Sequence, residues 1–155
     1  LRMITGIAKV ITDLERIGDE SSKIARAVKW LHEKHEQSRL NRIPDIRYSG
    51  EAAASMLRRT LDAFARMDPV AAASIIKDDL GIDDRFRAVL RQLITFMMED
   101  PRTISASLDC VWVAKAIERI GDHAKNVAEH VIFISQGWDA RHQSLEDVER
   151  AVARA

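Results

Sequence analysis

Leu14-Glu15-Arg16-Ile17-Gly18-Asp19 recurs 103 residues further on as Ile117-Glu118-Arg119-Ile120-Gly121-Asp122. Ile24-Ala25 is matched by Val127-Ala128 and Val28 by Val131. Such self-similarity at a fixed offset is an internal duplication, and both copies have helical periodicity. At 100° per residue Val113, Ala116, Ile117, Ile120, Ala124, Val127, Val131 and Ile134 form one apolar stripe, with Glu118, Asp122 and Glu129 on the opposite side. Leu14, Ile17, Ile24, Val28 and Leu31 form the equivalent stripe of the first copy, opposite Glu15 and Asp19. Two copies of one helix imply two copies of one bundle, and of the first bundle this chain carries the last helix.

Two Asp-Pro pairs punctuate the rest. Asp68-Pro69 and Asp100-Pro101 each set a capping carboxylate before a proline whose missing N–H costs nothing at a first helical position. They divide the second half into helices of about residues 50–67, 69–99 and 101–137, the last closed by Gly137. Short links force antiparallel neighbours, so the fold class is all-α: an up-down three-helix bundle preceded by one orphan long helix. The organisation expected is that helix at 1–38, a linker with Asn41 and Pro44 at 39–48, the bundle at 49–138, and a charged tail at 139–155. Ser144 and Asp147 hint at a capped final turn in the tail, which is expected to fray.

The 155 residues include 24 Lys and Arg against 24 Asp and Glu. No net field draws the chain to nucleic acid. A 46% hydrophobic and 31% charged composition with six Gly and three Pro suits a helical protein rather than a disordered one. Val131–Ile134, the most continuous apolar run, is far short of the roughly 20 residues that span a bilayer, and no secretion signal opens the chain. A cytoplasmic location is the expectation. The chain starts at Leu1 inside a helical pattern already under way, which reads as truncation or processing. Cys110 is alone and reads as a small core residue in a reducing compartment.

The acidic residues are where chemistry could reside. Glu15/Asp19 and Glu118/Asp122 are each four apart on one helix face, where like charges repel by a few tenths of a kcal/mol. Gly18 and Gly121 sit between them although an interior glycine costs about 1 kcal/mol, so a closely approached backbone is expected there. Asp79 and Asp83 repeat the spacing on the side of Ile76, Phe86, Leu90, Leu93 and Met97. A carboxylate in an apolar stripe needs a cation, a metal or a helix end. The alternative is that Gly81 breaks the helix and Asp83 caps the next one. If the helix is continuous, Asp79 and Asp83 face Glu118 and Asp122 as an oxygen-rich site for Fe, Mn, Mg or Zn.

Other constellations carry less. His32 and His35 are three apart at a helix end, one residue short of the zinc-protease spacing. His123 and His130 border the acidic stripe without joining it. A di-iron carboxylate enzyme would want Glu-x-x-His motifs, of which there are none. No nucleophile with a base and no phosphate-cradling glycine loop is visible, so no reaction is assigned.

Glu-Arg-Ile-Gly-Asp twice, with Asn126 and Glu129 trailing the second copy, resembles the signature of the PhoU family. Leu61 to Asp68 and Arg91 to Asp100 are similar to it as well, and the likeness runs from about Leu1 to His142. The resemblance implies a two-bundle, non-enzymatic negative regulator of phosphate uptake and phosphate-starvation signalling. Its partners would be the Pst ABC transporter and a PhoR-type sensor histidine kinase, reached at the membrane only through those partners, and it would form a homo-oligomer. Iron or zinc clusters are implied, with Asp79, Asp83, Glu118 and Asp122 at one site and Asn126 and Glu129 as possible extra ligands. Glu15 and Asp19 would belong to another site, where Lys23 and Arg26 replace Asn126 and Glu129. The rival reading is a metal-free helical adaptor whose acidic faces dock on basic partner surfaces. The orphan helix must bury its stripe on its own bundle, a symmetry mate or a swapped partner.

Overall fold

A computed structural model of the chain describes residues 1–34, 44–141 and 143–153. The described residues form α1 (Arg2–Lys34), α2 (Pro44–Arg66), α3 (Pro69–Glu99), α4 (Ile104–Gln136) and α5 (Leu145–Ala153), with a 3-10 turn at Pro101–Thr103 leading into α4. No strand occurs among them. The described residues are therefore all-α, and α1 packs along α4 within the same molecule.

The Asp-Pro boundaries act as capping chemistry requires. Asp68 accepts a hydrogen bond from the Ala71 amide at 2.9 Å, and Asp100 accepts one from the Arg102 amide at 3.0 Å. Met67 turns the corner between α2 and α3 at φ 50°, while the Asp68 amide donates to Ala63 O and the Met67 amide to Phe64 O. Gly137 closes α4 at φ 76°. α2 starts earlier than expected, at Pro44 rather than near residue 50, because a proline is tolerated in a first helical turn. Gly81 does not interrupt α3.

α4 is the central helix. Val113, Ile117, Ile120, Ala124, Val127, Val131 and Ile134 are all buried, so its periodic stripe is the core. α3 and α4 run antiparallel, as Asp79 beside Lys125 and Phe86 beside Lys115 show. α2 joins through Ala53, Met56 and Ala63, packed with Ile75, Ile76, Ile82 and Ile132.

α1 buries much of the expected stripe, with Ile17 and Leu31 buried and Leu14 and Ile24 packed against the core, but Val28 falls outside it. Val28 is 51% exposed, whereas Val10, Asp13, Ile17, Glu20 and Leu31 are buried. With Gly6, Ile24 and Ala27 these positions alternate spacings of four and three, the a/d pattern of a helix seam. Two acids, Asp13 and Glu20, occupy that seam, and a count of apolar residues alone passes over them. The expected fraying after Trp138 is also corrected. α5 docks because Val148 and Val152, four apart, are buried in the core, and Ser144 caps the helix through the Asp147 amide at 3.2 Å.

Candidate metal centre

Asp79 stands in the middle of continuous α3 and is 3% exposed. α4 can come close enough to meet it because Gly121 has no side chain: a Cβ there would lie 2.9 Å from Ile82 Cδ1 and 3.5 Å from Asp79 Oδ1. At this crossing Asp79, Asp83 and Asp122 bring one carboxylate oxygen each within 4.8 Å of one another. Among the described residues this is the acidic trio that converges. Glu118, one turn before Asp122, stands beside it.

The electrostatics leave the cluster under-compensated. Lys125 Nζ is 3.1 Å from Asp79 Oδ2, and Lys115 Nζ donates to Glu118 Oε1 at 2.6 Å. Asp79 Oδ1 and Glu118 Oε2 are buried without a hydrogen-bond partner. Burial, followed by the charges of Glu118, Asp79 and Asp83, pushes the Asp122 carboxyl above its ordinary value, with Lys115 pulling the other way. An unpaired buried carboxylate oxygen is costly, and a cation shared between neighbouring carboxylates relieves both desolvation and repulsion. An all-oxygen donor set suits Mg or Mn, and Fe or Zn with additional ligands. The residues present therefore fit a divalent cation.

The other candidate ligands lie elsewhere. Asn126 turns towards α1 and donates from Nδ2 to Asp13 Oδ1 at 3.1 Å. Glu129 is buried rather than on an open acidic face, and lines a cavity of about 410 Å³ with Lys125, Arg141 and Leu145. Glu15 and Asp19 are exposed on α1, where Asp19 lies 3.9 Å from Arg16. Gly18 has open space around it, so the glycine of the duplicated motif is approached by a neighbouring helix at one copy and by nothing within 4 Å at the other.

Two buried acids were not foreseen. Asp13 gathers His123 Nδ1 at 2.8 Å, Asn126 at 3.1 Å and His130 Nε2 at 3.3 Å. His123 and His130, read as border residues, thus tie α4 to α1. Burial raises the Asp13 carboxyl, but hydrogen bonds from His130, His123 and Asn126 outweigh it and hold it below the ordinary value. Glu20 accepts from Lys23 at 2.7 Å and from Arg119 at 3.3 Å across the same seam. The four-three alternation along α1 is the signal that could have found both. His32 is exposed, and His35 lies outside the described residues.

Known proteins share this sequence and geometry. The family model for the PhoU domain matches residues 46–131. The chain is 46% identical over 146 residues to the phosphate-specific transport system accessory protein PhoU homolog of Pseudomonas putida, covering 94% of this chain and 56% of that protein. It is 38% identical over 153 residues to the accessory protein PhoU of Escherichia coli K12, covering 99% of this chain and 62% of that one. The crystal structure of PhoU from Pseudomonas aeruginosa superposes with a TM-score of 0.84 at 45% identity, over 89% of this chain and 65% of that one. The phosphate transport system regulatory protein PhoU from Streptococcus pneumoniae gives 0.81 at 28% identity, over 90% and 65%. The chain thus spans less than two thirds of the length of these relatives.

Proposed function

This chain belongs to the PhoU family, and on that premise we propose that it is part of a non-enzymatic negative regulator of phosphate uptake and phosphate-starvation signalling that holds metal ions on its helical bundle. The names of its relatives, accessory and regulatory proteins of phosphate transport, support the regulatory role. Its partners in this reading are the Pst transporter and a PhoR-type sensor kinase, and its setting is cytoplasmic. No helix among the described residues is long and apolar enough to cross a membrane, which agrees with membrane contact through partners.

The observation that carries the metal reading is the convergence of Asp79, Asp83 and Asp122, with Asp79 Oδ1 buried and without a hydrogen-bond partner. These three, with Glu118 beside them, would hold a divalent cation. The cation would supply charge that fixes α3 against α4. It would also turn an acidic surface into a neutral one, changing what can dock there. Elemental analysis of purified chain tests this: the wild type retains iron, zinc or manganese and Asp79→Ala/Glu118→Ala loses it. Unchanged metal content in the double variant removes the reading.

The metal-free adaptor stays as the second reading, because Lys125 and Lys115 already neutralise two of the four carboxylates. In that reading partner binding persists after exhaustive chelation and weakens as salt rises.

A further inference from the structure

Lys125 lies between two acids. Its Nζ is 3.1 Å from Asp79 Oδ2, and it shares the neighbouring cavity with Glu129, four residues along α4. Glu129 is 8% exposed and lines that cavity beside Lys125 and Arg141. A largely buried carboxylate within reach of a lysine is stabilised when the ammonium comes close to it. The lysine stem is flexible, and its side chain is 35% exposed while that of Asp79 is 4% exposed. The Lys125 end of the pair is thus the free end.

We propose that Lys125 is a tethered counter-ion that fills the electrostatic place of the metal in the metal-free site and withdraws towards Glu129 when a divalent cation binds. The proposal rests on the metal reading and adds a regulation of that site: a cation seated on Asp79 Oδ1 meets an ammonium already held by Oδ2 of the same carboxylate, and the two positive charges compete. Lys115 is not the moving group, because its Nζ is held both by Glu118 and by the Phe86 ring, 5.3 Å from the centroid. Burial pushes the Glu129 carboxyl up, and the Lys125 charge that Glu129 already feels opposes that push.

Competition has two consequences. Removing the ammonium should tighten metal binding rather than weaken it. Removing Glu129 should weaken metal binding only while Lys125 is present, since the acid acts on the lysine and not on the metal.

Isothermal titration of the purified chain with Mn²⁺ tests both. Lys125→Gln should bind Mn²⁺ about ten-fold more tightly than wild type, a shift of about 1.4 kcal/mol. Lys77→Gln, which removes a lysine paired with Glu149, should match wild type. Glu129→Gln should weaken binding several-fold in the wild-type background and leave Lys125→Gln unaltered. Unchanged or weaker binding by Lys125→Gln while the wild type binds overturns the counter-ion proposal alone. Equal weakening by Glu129→Gln in both backgrounds makes Glu129 a ligand and overturns its role as the landing site. Absence of Mn²⁺ binding in every protein overturns the metal reading and the counter-ion with it.

Discussion

Ile82 of α3 presses so closely on Gly121 of α4 that a methyl group on the glycine would stand 2.9 Å from Ile82 Cδ1 and 3.3 Å from its Cγ2. Ile82 is 4% exposed and has little room to yield. Gly18, at the same place in the duplicated motif, has nothing within 4 Å. The same substitution should therefore act with opposite sign at the two copies. Gly18→Ala gains about 1 kcal/mol of helix propensity. Gly121→Ala gains the same but overpacks a core contact, which costs about 1–3 kcal/mol. Urea denaturation should place the two variants roughly 2 kcal/mol apart, with Gly18→Ala the more stable. Equal stabilities would mean that α3 does not rest on Gly121.

The features legible in the sequence are those with local signals. Asp68-Pro69 and Asp100-Pro101 marked helix starts because capping is decided within a few residues. The α4 stripe was legible because every third or fourth residue there is aliphatic. The seam of α1 was legible only in its apolar positions Ile17, Ile24 and Leu31, since Asp13 and Glu20 occupy core positions and only their partners on α4, more than 90 residues away, make that tolerable. Asp79, Asp83 and Asp122 could be nominated by their four-residue spacing and by Gly121. Whether Asn126 and Glu129 join them depends on side-chain direction, which spacing along one helix does not fix.

Asp13 should give the α1 and α4 seam a pH dependence. Its folded-state carboxyl lies below the ordinary 3.8, so its contribution to stability is fully present above that value and is lost as pH falls through the lower, folded value. Asp13→Asn should cost about 1.5–3 kcal/mol at neutral pH, the range for a hydrogen-bonded charged group. The gap between variant and wild type, read from denaturation midpoints, should close below pH 3.8. A gap that persists there would assign the cost to packing instead.

Cys110 should be inert in the folded chain. Burial, with the nearby Asp109 charge, pushes its thiol up to about 11, and the residue is 4% exposed. A thiol reagent at about pH 8 should react only after denaturant is added, because the thiolate is the nucleophile. Rapid labelling under native conditions would contradict the burial.

Asp122 is predicted to destabilise the metal-free fold and to stabilise the loaded one. Burial and the surrounding carboxylates oppose its charge. Asp122→Asn should melt higher than wild type in chelator and lower than wild type in excess Mn²⁺. A variant that melts lower in both conditions would show that Asp122 serves packing rather than metal binding.

A cation seated between α3 and α4 is the feature on which the proposed function turns. Anomalous diffraction from crystals of the chain grown with Mn²⁺ measures this most directly. A single strong peak is expected within bonding distance of Asp79, Asp83 and Asp122, with Lys125 turned away from Asp79. A map without a peak there, with Lys125 still bonded to Asp79 in the presence of Mn²⁺, would contradict it.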